Sequence, residues 1–382
     1  MRLSVVILNY NVQYFLELCL QSVVKATSHL DAEIIVVDNA SEDGSVAMVQ
    51  TQFPDVRLIV NKDNTGFPKG NNMGVDIAKG EYVCILNPDT VVAEDTFDKL
   101  FDFAEGKDKL GIVGPKLLDG SGKFLPESKR GVPTPWVAFT KFLELYRYFP
   151  KQCGKYYFME LDPNETGKIE ILVGAFMFMK RSLYLKLGGF DEGCFMYSDD
   201  VDISYMALKE GYDNYYFSET RVIHYKGEST NKDETFLRRF REAMNFFYRK
   251  HFKVNILFDL VMRIGAKIFS LLKLLRMKQH ANIHFKPEKY YLISTDASLV
   301  EDLKTSLKKE VILTTFEEVQ TMGPDDKHIE LLFDANTLTF KQIIQYFNIL
   351  SGRGFTYKMI PMSKRYVLGS NFSDAKGEVK FF

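Results

Sequence analysis

The chain has 382 residues, 46% of them apolar and 26% charged, a balance that excludes disordered, collagen-like and disulfide-stapled classes. That length exceeds what one hydrophobic core usually serves, so at least two domains are expected. A net charge of -1 excludes a whole-chain field that would gather nucleic acid, and leaves any electrostatic partner to a local patch. Cys19, Cys84, Cys153 and Cys194 share no C-x-x-C spacing and read as buried thiols in a reducing, cytoplasmic setting.

The apolar opening from Leu3 to Leu8 breaks at Asn9-Tyr10-Asn11, too short for a secretory leader. No run reaches the roughly 18 apolar residues of a membrane-spanning helix. Val5 to Leu8, Ile34 to Val37, Leu58 to Val60 and Tyr82 to Leu86 read instead as buried strands. Leu16, Cys19, Leu20, Val23 and Val24 carry the stripe of a helix packed on a sheet, and Met73, Ile77 and Ala78 suggest another. This is a doubly wound α/β pattern, in which ligands bind beyond the carboxyl ends of the strands. Those ends hold Asn9, Asp38, Asn61 and Asn87 through Asp89.

Residues 116 to 168 lack clear periodicity and read as an irregular lid or acceptor-facing excursion. Ile171 to Met179 reads as one apolar strand, Arg181 to Leu187 as a helix, Gly188 to Asp191 as a turn, and a further helix begins near Asp200. From Lys289 a second, smaller α/β unit starts, with patterns at Tyr290 to Ile293, Leu303 to Leu307, Val311 to Thr314, Ile329 to Phe333, Ile343 to Leu350, Tyr357 to Ile360 and Tyr366 to Leu368.

Several groups could do chemistry. Pro88 ends the strand before it and exposes Asp89, which either caps a helix starting near Asp95 or serves a ligand. Asp199, Asp200 and Asp202 repel one another unless they cap a helix, bind a cation or meet a cationic substrate, and a helix start accounts for one or two of them. His224 closes the strand Arg221 to Ile223 and is either structural or a nitrogen ligand beside Asp89, a mixture that Mn²⁺ tolerates better than Mg²⁺. Asn64 to Gly74 opens a helix where backbone N–H groups meet anions, but it fits neither the P-loop nor the G-x-G-x-x-G spacing.

Taken in order, Val5 to Asn11, Val37 to Ser41, Asn64 to Gly74, Leu86 to Asp89, Gly188 to Asp202 and Val222 to His224 resemble inverting glycosyltransferase family 2, in its rhamnosyltransferase-like branch. The resemblance covers roughly residues 3 to 250. It implies a GT-A (nucleotide-diphospho-sugar transferase) fold with a smaller C-terminal α/β domain, and a UDP-, dTDP- or GDP-sugar donor bound by Asn9, Asn11, Asp38, Asn39, Gly66, Lys69, Asn72, Asn87 and Asp89. It also implies a divalent metal, Mn²⁺ or Mg²⁺, on Asp89 and His224, with Asp200 as base and Asp199 and Asp202 on the acceptor side. Asp199 stands where Glu is more usual and Asn87 where many relatives have a first Asp. The implied activity moves a hexose or deoxyhexose onto a cell-surface glycan or lipid-linked acceptor. The alternative is a donor-binding sensor or scaffold without transfer.

These readings divide the chain into a transferase domain (1–250), a basic amphipathic helical linker (251–284) and an accessory or homo-oligomerisation domain (285–382). In the linker, Leu257, Val261, Ile264, Ile268, Leu271, Leu272 and Leu275 share one helical face, with Arg263 and Lys267 broadly opposite. It packs either on a domain or on the anionic inner face of the plasma membrane. Gly369 to Asp374 reads as a turn or a polar binding loop. Nucleic acid is not an expected partner.

Overall fold

The computed structural model describes residues 1–226, 234–252, 287–323, 328–371 and 377–382. The proposed linker helix from 253 onward, and Phe372 to Asp374 of the polar loop, lie outside the described residues.

The first unit begins β1 (Leu3–Asn9), α1 (Gln13–Thr27), β2 (Ala32–Asp38), α2 (Ser45–Gln52), β3 (Arg57–Val60), α3 (Phe67–Ile77), β4 (Tyr82–Leu86), β5 (Thr90–Val92), α4 (Thr96–Ala104) and β6 (Leu110–Leu118). It continues through short helices α5 (Pro135–Phe142) and α6 (Pro150–Cys153) to β7 (Gly167–Ile169), β8 (Phe176–Lys180), α7 (Arg181–Lys186), α8 (Asp199–Lys209), β9 (Asp213–His224) and α9 (Glu234–His251). Among the described residues these strands form one nine-stranded sheet in the order β3-β2-β1-β4-β8-β6-β9-β5, with β7 on β9.

The alternation along β1 explains the layering. Val5 and Ile7 enter one core with Leu16, Leu20 and Phe97, while Val6 enters the opposite one with Val75, Tyr184 and Ile203. Both faces being covered, β1 and β4 are apolar along nearly their whole length. Parallel pairing of β1 with β2 and β4 sets Asn9 opposite Asp38 and Ile7 opposite Leu86, so the polar strand ends line up on one edge.

Two expectations change. Ile171 to Met179 is not one strand: β8 starts at Phe176, Ile171 makes a single bridge to Arg130, and the chain between them turns toward α8. Residues 116 to 168 are also more ordered than their composition suggests, because β6 runs on to Leu118 and α5 and α6 follow.

The second unit comprises β10 (Lys289–Ile293), α10 (Leu299–Leu307), β11 (Glu310–Thr314), α11 (Phe316–Thr321), β12 (Ile329–Asp334), α12 (Phe340–Leu350), β13 (Thr356–Ile360), β14 (Tyr366–Gly369) and β15 (Glu378–Phe381). Its sheet order is β11-β10-β12-β13-β14-β15, with β14 and β15 joined antiparallel. The last strand lies beyond the expected alternation.

The two units share a core. Phe15 and Leu18 of α1, Val91 of β5 and Ile223 of β9 pack with Phe340, Ile343, Phe347 and Tyr357. This covers β5, which ends the first sheet and would otherwise offer an open edge. The fit is close at Gly122, φ +77°, where a Cβ would lie 2.1 Å from the Phe347 carbonyl oxygen. Glu94 caps α12 from the other unit, accepting from the Phe340 and Lys341 N–H groups at 2.8 Å each. Buried Glu17 accepts from the Tyr366 hydroxyl at 2.5 Å and pairs with Lys364, and Gln21 bonds both backbone polar groups of Met362.

Removing the Glu17 carboxylate takes the acceptor from the Tyr366 hydroxyl and leaves the Lys364 ammonium with Gln52 in place of its ion pair. Glu17→Ala is expected to cost about 2 to 3 kcal/mol, read as a lower urea midpoint with faster hydrogen exchange in α1 and β14. An unchanged midpoint and unchanged exchange would show that the two units do not depend on this contact.

Candidate active site

At the aligned strand ends, Asn9 donates from Nδ2 to Asp38 Oδ2 at 2.8 Å and to Ser41 Oγ at 3.1 Å. Asp38 Oδ1 accepts from the Ser41 N–H at 2.8 Å, and the Asn11 carboxamide oxygen accepts from the Glu42 N–H at 2.7 Å. These bonds fix the two loops after β1 and β2 as one rim, and leave the buried Asn9 Oδ1 without a hydrogen-bond partner.

Asn39 and Asn72, expected on the donor, tie neighbouring loops together. Asn39 Oδ1 accepts from Asn61 Nδ2 and from the Thr65 N–H and Oγ1, while its Nδ2 donates to Asn64 Oδ1 and the Gly66 carbonyl. Asn72 Oδ1 accepts from the Tyr184 hydroxyl and the Phe190 N–H, and its Nδ2 donates to the Phe190 carbonyl and Glu192. Both carboxamides have spent their hydrogen-bonding capacity inside the protein. Gly66 has φ +83°, and a Cβ there would lie 2.7 Å from the Phe195 carbonyl oxygen, so this loop and the 188–198 loop meet only because the position lacks a side chain. Lys69 stays exposed in the first turn of α3.

Asp89 is not a helix cap. Thr90–Val92 forms β5, and α4 starts only after Asp95. β5 pairs antiparallel with β9, Thr90 opposite His224, which brings that imidazole to the carboxylate. His224 Nε2 lies 3.4 Å from Asp89 Oδ1 and 3.4 Å from Asn87 Nδ2. The His224 and Asp89 side chains are 7% and 5% exposed, and neither Asp89 Oδ1 nor His224 Nδ1 has a hydrogen-bond partner. Buried polar atoms left so are costly unless something else satisfies them. An oxygen and a nitrogen donor facing one another at this spacing fit a divalent cation. Among the described residues no group of three His, Cys, Asp or Glu side chains converges on a metal position, so an ion here would draw its further ligands from substrate oxygens and water.

The acidic run sits at the start of α8, just after Tyr197, whose φ of +79° is unusual for an aromatic residue. Its members separate by environment. Asp200 Oδ2 accepts from Arg130 Nη2 at 2.6 Å and from the Gly174 N–H at 3.0 Å, and Oδ1 accepts from the Val201 N–H at 2.7 Å. Asp199 Oδ1 is buried with no hydrogen-bond partner. Burial, and then the Asp200 charge, push the Asp199 carboxyl up to about 7. Asp202, expected on the acceptor side, faces away: its oxygens bind Lys250 at 2.8 Å and His251 at 2.5 Å, pinning α8 to α9. That side chain is 1% exposed.

Two consecutive residues join the Asp89 and His224 side to the acid side. The Asn87 N–H donates to the Ala175 carbonyl at 3.0 Å, and the neighbouring Gly174 N–H donates to Asp200. Arg130, Gly174 and Ala175 were not among the expected site residues. The signal for the first is one of two Arg in an otherwise irregular stretch, and for the other two a Gly-Ala pair inside an apolar run.

Against known proteins, the chain is 29% identical over 244 residues to the N-acetylglucosaminyl-diphospho-decaprenol L-rhamnosyltransferase of Mycobacterium tuberculosis, covering 60% of this chain and 78% of that one. It is 27% identical over 183 residues to the low-salt glycan biosynthesis hexosyltransferase Agl10 of Haloferax volcanii, covering 47% and 54%. Among solved structures, the mannosyltransferase PcManGT from Pyrobaculum calidifontis, in complex with GDP-Man and Mn²⁺, aligns with a TM-score of 0.44 at 20% identity, over 65% of this chain and 63% of that one. The model of glycosyl transferase family 2 matches residues 4–202, more than half of the 382. The chain therefore belongs to glycosyl transferase family 2.

Proposed function

We propose that this glycosyltransferase moves a hexose or deoxyhexose, with inversion, from a nucleotide-sugar donor to a glycan or lipid-linked acceptor, assisted by a divalent metal and a carboxylate base. The observation that carries this reading is the buried pair Asp89 and His224 at the strand ends, where Asp89 Oδ1, which has no hydrogen-bond partner, lies 3.4 Å from His224 Nε2. A divalent ion held by these two residues, Mn²⁺ or Mg²⁺, would neutralise the charge that develops on the departing diphosphate. Asn9, Asn11 and Asp38 form the nucleoside rim in this proposal, with the unpartnered Asn9 Oδ1 supporting that role. Gly66, Lys69 and Asn87 lie on the diphosphate side.

In the proposed displacement the acceptor oxygen bonds to the anomeric carbon, the bond from that carbon to the diphosphate oxygen breaks, and the hydroxyl proton passes to Asp200. Two features favour Asp200 over Asp199 as the base. Arg130 orients it through an ion pair at 2.6 Å, and Asp199 Oδ1 is buried with no hydrogen-bond partner. Asp199 instead tunes its neighbour, since two adjacent buried carboxylates titrate as a unit. As pH rises through about 7, Asp199 loses its proton and a second charge develops beside Asp200.

The lipid-linked acceptor rests on the name of the mycobacterial relative, which describes a decaprenol-linked one. The domain limits 1–250, 251–284 and 285–382, a cytoplasmic setting and residence at a membrane surface belong to the same proposal. No helix among the described residues is long and apolar enough to cross a membrane.

Four variants test the chemistry. Asp200→Asn should lower kcat by about 10² to 10⁴ with donor binding intact. Asp199→Asn should keep turnover but lose a change in kcat/KM across pH 7 that wild type shows as Asp199 gives up its proton there. In titration calorimetry Asp89→Ala should abolish Mn²⁺-dependent donor binding, and Asn87→Ala should weaken it far less. Near-wild-type transfer by Asp200→Asn would remove the base, and equal losses at positions 87 and 89 would remove the proposed metal site.

A further inference from the structure

Outside the cleft, large apolar side chains gather on the excursion that contains α5. Trp136, Phe139 and Leu143 are 61%, 40% and 43% exposed, and at this spacing they share one helical face. The Trp136 and Phe139 rings stack with centroids 5.9 Å apart. Tyr148 and Phe149, 76% and 56% exposed, follow within the same excursion. An adjacent face of α5 packs on the protein, with Val137 and Thr140 buried. Scattered exposed apolar residues need no explanation, but a cluster of them on a helix that has already buried another face does.

The charge around the cluster is one-sided. Residues 135 to 155 contain Lys141, Arg147, Lys151 and Lys155 against Glu144 alone. Trp and Tyr beside cations are the composition of a bilayer headgroup boundary, whereas the cores of protein interfaces are poor in Lys. The cluster also leads to the acid pair. Lys141 Nζ sits 3.4 Å above the Tyr156 ring, Tyr156 bonds to Arg130, and Arg130 holds Asp200.

We infer that the α5 face formed by Trp136, Phe139 and Leu143, ringed by Lys141, Arg147 and Lys151, is the surface by which the chain rests on an anionic bilayer. The apolar side chains enter the acyl boundary and the cations stay among the headgroups. An eight-residue helix is too short to span, so the contact is peripheral. The binding surface stands on these residues alone. Its purpose, holding the Asp200 side toward a lipid-linked acceptor, rests on the function proposed above.

The test is cosedimentation of the full chain with vesicles of phosphatidylcholine, alone or mixed equally with phosphatidylglycerol. Wild type should bind the mixed vesicles and bind the neutral ones weakly. The triple variant Trp136→Ser, Phe139→Ser, Leu143→Ser should lose about tenfold or more in partitioning. Its circular dichroism and nucleotide-diphosphate binding should not change, because the three side chains are exposed. Arg263→Gln with Lys267→Gln should retain most of the binding. Wild-type binding by the triple variant would overturn the inference, as would absence of vesicle binding together with a concentration-dependent dimer that the triple variant abolishes. A chain that binds vesicles through this face yet transfers no sugar would support the surface and remove the proposed function instead.

Discussion

Gly174 and Ala175 connect everything this site depends on. The Ala175 carbonyl holds the Asn87 backbone on the metal side, and the Gly174 N–H holds Asp200 on the acid side. The two groups, more than a hundred residues apart in the chain, therefore keep a fixed relation through adjacent peptide units. That relation is available only because the strand β8 starts late, at Phe176, and leaves the preceding residues to turn toward α8. A strand running unbroken from Ile171 would have tied those backbone groups into the sheet ladder.

A second constraint comes from the sheet edge. The pairing of Thr90 with His224 belongs to a short antiparallel contact of three residue pairs, extended by the Tyr225 N–H donating to the Asp89 carbonyl at 3.0 Å, and it brings the imidazole to Asp89. Such a strand needs support. The C-terminal unit supplies it by packing Phe340, Ile343 and Phe347 on Val91 and Ile223, and by accepting a helix cap from Glu94 just beyond β5. On this view the second unit acts less as an appendage than as a wall that holds the metal-side strand in place. Within the acidic run, Asp200 is matched by Arg130 and Asp202 by Lys250 and His251, whereas Asp199 keeps a buried oxygen with no hydrogen-bond partner.

Much of the fold was legible because it is written in local patterns. Apolar runs marked β1 to β4, the helical stripe marked α1, and the polar residues that follow those strands lie along one edge, as parallel pairing requires. The site was legible less evenly. Asp89, Asp200 and His224 sit where their positions after strands and before a helix suggested, but Asn39, Asn72 and Asp202 are occupied by the protein itself. Residue type alone cannot separate a carboxamide that binds a ligand from one that ties two loops together, because the distinction lies in partners distant along the chain. Arg130 was hidden for the same reason, and the resemblance to the family carried information on order that no single motif held.

The proposed function requires an ion between Asp89 and His224 when donor is bound. Crystals grown with Mn²⁺ and a nucleoside diphosphate, measured at the manganese absorption edge, examine this directly. The account predicts an anomalous peak in contact with Asp89 Oδ1 and His224 Nε2, lost in Asp89→Ala. A diphosphate bound at the strand ends with no peak there, or with the peak at the Asp199 and Asp200 pair, would contradict it.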